Sequence, residues 1–248
     1  MSIAPGAELP VPLLPHSKSF PARILGVLFA PRATFRVVAR TPNWLAVLLA
    51  SCLVGAVSSA VVLETTVGRF ALLDRWERTA VAFGQSIDDS RYAAMGRASE
   101  YGSLYAAASA VVTGPVLAMV LSGLLFLAFR TPASPTVTYT QVLAVVAHAG
   151  VILALRQVVA APLVYARETL ASPLTLGPLF SGLDEASLLA RFANGIDLFV
   201  VWWMVVLALG MSVLYRRRAL GLTVRFLGVY MAIRAILATA MALLGGRS

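Results

Sequence analysis

Four ionisable side chains stand inside otherwise apolar runs: His148, Arg156, Asp197 and Arg234. An arginine at the centre of a membrane-crossing helix costs about 2.5–3.5 kcal/mol, so it must face protein or water and find a partner. Asp197 is the nearest acid in any such run. Two chemistries suit this set. One is a structural polar cluster in which Arg156, Arg234 and Asp197 form a single buried network. The other is a polar path or substrate site lined by Arg156, Arg234 and His148. The spans' lengths put the two arginines and the acid in the same half of the layer, offset by roughly two helical turns of about 5.4 Å each. Long arginine stems cover part of such a gap. His148 follows Gln141 by seven residues and shares its helical face. Among alanines and valines it reads as a hydrogen-bonded helix contact, with a ligand or proton-relay role as the alternative.

No other chemistry is spelled out. Cys52 is the one cysteine, which excludes an intramolecular disulfide and a thiolate metal cage. His16 lies in the proline-bearing tail, so the two histidines make no metal pair. Neither an HExxH helix, paired span aspartates, a phosphate-binding loop nor a dinucleotide glycine pattern is present, and Gly210–Met211–Ser212 has no histidine after it. The chain is expected to be no enzyme, with no cofactor and no metal.

The elements that must position these residues are set by hydropathy. Apolar residues are 59 % of the 248 and charged ones 12 %, about half the ordinary share. Mean hydropathy is +0.84. Ile196–Tyr215 is apolar all round except for Asp197 near its front, and twenty helical residues cross roughly 30 Å of hydrocarbon. It leads into Arg216, Arg217 and Arg218. Four further runs qualify, so spans are expected at about 44–63, 104–129, 139–165, 196–215 and 222–244. The fold class is all-α: a polytopic bundle of five transmembrane helices plus short amphipathic helices near the N-terminus. Residues 1–43 form a cytoplasmic tail with basic segments, and 44–248 the membrane domain.

Met1–Ser19 reads as a disordered tail without a secretory h-region. Pro21, Pro31 and Pro42 each permit a helix start and enforce a stop, which predicts short helices over 21–29 and 31–40. In the second, Arg32, Arg36 and Arg40 share one face, and Phe35, Val38 and Ala39 the other. Such a helix lies in the headgroup plane or packs under the bundle with its arginines in water, and the two are compatible. Thr41 is expected to cap the first span, with Pro42 at its first position. Ser51, Gly55 and Ser59 give that span a small-residue stripe for close packing. The polar stretch 64–103 is expected to continue it as an amphipathic helix carrying Leu72, Leu73, Trp76, Ala80 and Phe83. Thr113–Gly114–Pro115 should kink the second span.

The net charge of +9 is spread over short loops and helix ends, not gathered on one soluble face, so nucleic acid is not an expected partner. Arg36, Arg40, Arg130 and the arginine triplet all abut one side of the spans. That asymmetry places the N-terminus in the cytoplasm and the C-terminus outside.

Three stretches carry a likeness. FAPRATFRVVARTPNWLAVLL resembles the entry segment of the Yip (Yip-one) membrane family, five-span proteins named for interaction with Ypt/Rab GTPases. TYTQVLAVVAHAGVILAL is similar to that family's third span. NGIDLFVVWWMVVLALGM is similar to the fourth-span entry of its prokaryotic members, with Asp197, Phe199 and Trp203 at the matching positions. The likeness covers about residues 22–245. His148 stands where the family often has tyrosine, and the glycine pair before its third span is absent. The resemblance implies a five-span helical fold with a cytoplasmic N-terminus in a prokaryotic cytoplasmic membrane. It also implies a scaffold or adaptor, accessory to transport or trafficking machinery such as an ABC-type transporter. No catalytic residues carry over. Expected partners are the lipid bilayer, another membrane protein and a second copy of the chain. The competing expectation is a small transporter or channel subunit.

Overall fold

The computed structural model describes residues 19–82, 84–130, 136–170, 172, 174–177 and 188–245. The N-terminal tail with His16, Phe83, and the prolines of the 130–138 linker lie outside the described residues. Among these residues every regular element is a helix, and five are long and apolar enough to cross a membrane: Leu45–Glu64, Gly102–Phe129, Tyr139–Arg167, Leu198–Tyr215 and Ala219–Ala240.

Two short helices come first. Helix α1 (Phe20–Phe29) and helix α2 (Pro31–Arg40) each begin at or next to a proline, whose missing N–H costs nothing in a first turn. Helix α2 buries Thr34, Phe35 and Val38 against the bundle and leaves Arg32, Arg36 and Arg40 exposed. Helix α1 is turned the other way. Arg23 and Val27 point inward, while Leu25 and Phe29 are exposed. An apolar outer face over a buried arginine suits a lipid environment, not water.

Thr41 ends α2 and does not start the first span. Its hydroxyl donates to the Val37 carbonyl at 3.2 Å. Helix α3 (Leu45–Glu64) begins after Trp44. The proline stops one helix without launching the next at once. Nor is the polar stretch a continuation of α3. Thr65 is extended with ψ 153°, and its hydroxyl donates to the Val62 carbonyl at 2.7 Å and accepts the Gly68 N–H at 3.0 Å. A separate helix α4 (Thr66–Ala82) starts there and buries Ala71, Leu72 and Leu73. Helix α5 (Asp89–Ser99) follows, capped by Asp88.

Helix α6 (Gly102–Phe129) continues through Pro115. Gly114 brings its backbone against Cys52 of α3, where a methyl would lie 2.7 Å from Sγ. Gly55, of the expected small stripe, has open space where a side chain would stand.

The third span is α7 (Tyr139–Ala149) plus α8 (Val151–Arg167), joined at Gly150. The ladder persists across the join: Gly150 N–H donates to Val146 at 2.9 Å and Ala154 N–H to Gly150 at 3.0 Å. All residues from Val142 to Ala149 are buried, so this span is the centre of the fold. Its start carries a capping box between Thr138 and Gln141. Gln141 also donates from Nε2 to the Ala39 carbonyl at 2.8 Å, tying the span to the end of α2.

Helices α9 (Leu188–Asn194), α10 (Leu198–Tyr215) and α11 (Ala219–Gly245) complete the chain. The core joins Val27, Phe35 and Val38 to Val142, Val145 and Ile152 and to Val206, Met211 and Tyr215. Gly210 makes that three-way meeting close: a methyl there would overlap Val145 and lie 3.1 Å from Phe35 Cε1.

Candidate functional site

The polar centre forms where α8, α10 and α11 meet a folded-back loop. Arg156 comes from α8, six residues past the join at Gly150. The helix runs on for eleven residues to Arg167, and Glu168 then closes it in the left-handed conformation with φ 52°. The chain turns back, and Ser172 returns to the level of Arg156. Its hydroxyl accepts from Arg156 Nη2 at 3.0 Å and donates to Asp197 Oδ2 at 3.0 Å. Arg156 Nε donates to the same carboxylate oxygen at 2.7 Å. The expected two-turn offset is closed by this return path, because the fourth helix starts level with Arg156 and not with the far end of α8.

Asp197 has a second duty. Its Oδ1 accepts from the N–H groups of Phe199 at 2.9 Å and Val200 at 3.3 Å, which makes it the N-cap of α10. Asp197 is 6 % exposed, and its carboxylate sits at the positive end of that helix. Both of its oxygens are therefore occupied. Its own N–H donates to the Tyr230 hydroxyl of α11 at 3.2 Å, and that hydroxyl donates to the Gly195 carbonyl at 3.0 Å. Leu176 N–H donates to Ile196 and Leu198 N–H to Leu174, each at 3.0 Å, around an isolated antiparallel bridge of Thr175 with Asp197. Non-helical backbone inside a membrane protein is tolerated where protein groups satisfy it, and here they do.

Arg234 does not join the network. Its guanidinium packs on Gly195, where a methyl would overlap it. It makes no ion pair or hydrogen bond among the described residues, and its Nε is buried without a partner. The reason is steric and chemical: Asp197 has already spent its oxygens on Arg156, Ser172 and two backbone amides.

His148 belongs elsewhere. It is fully buried in α7, with Nδ1 2.7 Å from the Ala144 carbonyl one turn earlier. That partner requires the proton on Nδ1 and leaves Nε2 as an acceptor without a donor. Its charged neighbour is Arg23 of α1, not Arg156 or Arg234. His148 and Gln141 thus meet α1 and α2, and neither bonds to the polar centre. Phe199 and Trp203 pack against the core; Phe199 tilts over Trp202 at 5.8 Å, and Trp203 Nε1 is buried without a partner.

Ser172, Tyr230 and Gly195 carry no signal of their own in the sequence. Tyr230 alone was within reach, since it precedes Arg234 by four residues and so shares its face. Chemically, the centre holds a shape. Its carboxylate is saturated, its serine has no histidine partner, and no group of three metal-ligating side chains occurs among the described residues.

Fold and site together define an all-α integral membrane bundle of five apolar spans, locked on its fourth-span entry by a buried ion pair. The chain matches no family model, no curated protein and no solved structure.

Proposed function

We propose that the protein is a non-enzymatic membrane scaffold or adaptor of the Yip type, working through helix contacts with other membrane proteins. One observation carries this reading. The third and fourth spans are 56 % and 44 % buried over their apolar windows, but the second and fifth only 11 % and 6 %. The chain builds one firm centre and leaves two spans bare along its sides. Without a hydrophobic driving force in lipid, such faces associate through shape and polar contacts. The basic face of Arg32, Arg36 and Arg40 adds a surface for anionic headgroups beside the bundle. With the N-terminus cytoplasmic, as the arginines flanking the spans favour, that face lies on the cytoplasmic leaflet.

Affinity purification of the intact chain in mild detergent tests this. A stoichiometric membrane protein, such as an exporter subunit, is expected to co-purify, and its recovery should fall when Leu117, Val120 and Leu124 of α6 are changed to bulky tryptophans. Purification of the chain as a lone species from its native membrane would sink the reading. The transporter alternative draws support from the unpartnered Nε2 of His148 and the unpaired Arg234. Solute flux by the protein alone in liposomes would favour it.

A further inference from the structure

Arg234 is a cation held at the edge of the membrane. Its guanidinium lies on Gly195, where a side chain would collide with it. Tyr230, one turn earlier on α11, fixes that glycine by donating to its carbonyl at 3.0 Å. Gly195 stands just ahead of Leu198, the first residue of α10. From there α10 runs eighteen residues to Tyr215, about 27 Å, so its two ends mark the two edges of the hydrocarbon. The fifth apolar span ends at Ala240, six residues beyond Arg234 and about 9 Å along the helix. An arginine stem covers much of such a distance, so the guanidinium is within reach of headgroups.

Its surroundings say what it meets there. Asp197 is taken by Arg156, and Arg234 has no acceptor among the described residues. Its Nε is buried without a partner, but the residue as a whole is half-buried, and Nε is the only one of its nitrogens so enclosed. The terminal fork is therefore open to a ligand. A guanidinium fork fits a phosphate through two parallel hydrogen bonds. A zwitterionic lipid brings its own cation and leaves the excess charge in place, whereas a lipid of net negative charge cancels it. Leu198 of α10 and Ile233 and Leu237 of α11 are exposed beside the arginine. Acyl chains cover such side chains; a free phosphate ion leaves them bare.

We infer that Arg234 binds the phosphate of an anionic phospholipid, in the leaflet at the entry of the fourth span, with that lipid's chains over Leu198, Ile233 and Leu237. The bound lipid clips α11 to the start of α10. The inference stands apart from the adaptor reading, because its ligand belongs to the bilayer and not to a protein partner.

The test uses the full-length protein in vesicles of phosphatidylcholine with a minor share of phosphatidylglycerol. Bromine atoms on the chains of one lipid or the other quench nearby tryptophans. Trp202 and Trp203 lie in the second turn of α10 and report on the site, and Trp44→Phe with Trp76→Phe removes the other two. Quenching is expected to show about a fivefold preference for phosphatidylglycerol. Arg234→Lys should keep most of it, and Arg234→Gln should abolish it. The same contrast, in weaker form, should appear in the chain with all four tryptophans. Equal quenching by both lipids, or a preference that survives Arg234→Gln, overturns the inference. Changing Arg32, Arg36 and Arg40 to glutamine should leave the preference intact, since Phe35 of that helix meets α10 at Gly210, toward its other end. A loss there assigns the preference to the basic face of α2 and overturns the inference. Loss in inorganic phosphate, but not in chloride of equal ionic strength, overturns it in favour of a free anion. A rise after Asp184→Asn with Glu185→Gln that Arg234→Gln reverses overturns it in favour of the chain's own loop.

Discussion

Arg156 of α8 and Asp197 at the start of α10 stand forty-one residues apart in the chain and 2.7 Å apart in space. The same carboxylate caps α10, so one side chain joins two spans and starts one of them. Removing one partner strands the other. Asp197→Ala is expected to destabilise the fold by about 3–5 kcal/mol, and Arg156→Leu by a similar amount. Arg156→Leu together with Asp197→Ala should cost less than the two single changes added, because no charge is left unpaired. Unfolding in detergent measures this; additive losses would show that the pair is not coupled.

Gly210 is where the fourth span meets Val145 and Phe35. Gly210→Ala is expected to cost about 1–3 kcal/mol through overpacking. Val145→Ala in the same chain should return part of that loss by making room. A wild-type unfolding midpoint for Gly210→Ala alone would rule out the close approach.

His148 carries a buried Nε2 without a donor, which an apolar side chain of similar size would dispense with. His148→Leu should therefore leave stability within about 1 kcal/mol of the wild type or raise it. A loss of several kcal/mol would mean that Nε2 has a partner in the assembled protein.

Asp88 lies outside the spans and caps α5. It accepts from the Arg91 N–H at 2.8 Å and from Ser90 Oγ at 2.9 Å. The bond to the Arg91 N–H, then that from Ser90, holds its carboxyl below the ordinary value of 3.8. A lowered folded-state value contributes stability that is complete above the ordinary carboxylate range and fades as pH falls through the lowered value. Amide protection of α5, corrected for intrinsic exchange, should therefore drop below about pH 4. Asp88→Ala should remove this pH step and lower protection at neutral pH.

Five spans put Ser90 and Arg217 on opposite sides of the membrane. With the N-terminus cytoplasmic as proposed, and in a Cys52→Ala background, Ser90→Cys should react with an impermeant maleimide added to intact cells, and Arg217→Cys only after the membrane is opened. Labelling of both from one side would refute the five-span topology.

The sequence alone determined the solvent and the element list. Membrane insertion and helix length are properties of a local window, so five apolar runs and two proline-led short helices could be read residue by residue. The exposed Arg32, Arg36 and Arg40 face over a buried Phe35 and Val38 follows from helical period in the same way. Tertiary structure decided which polar groups meet. Whether Arg156 reaches Asp197 depends on where one helix starts relative to another, and the left-handed turn at Glu168 with the returning Ser172 sets that level. Arg156 and Arg234 look alike as arginines in greasy runs. Only three-dimensional placement makes one a paired strut and the other a charge without a mate, because a carboxylate has two oxygens and these were already taken.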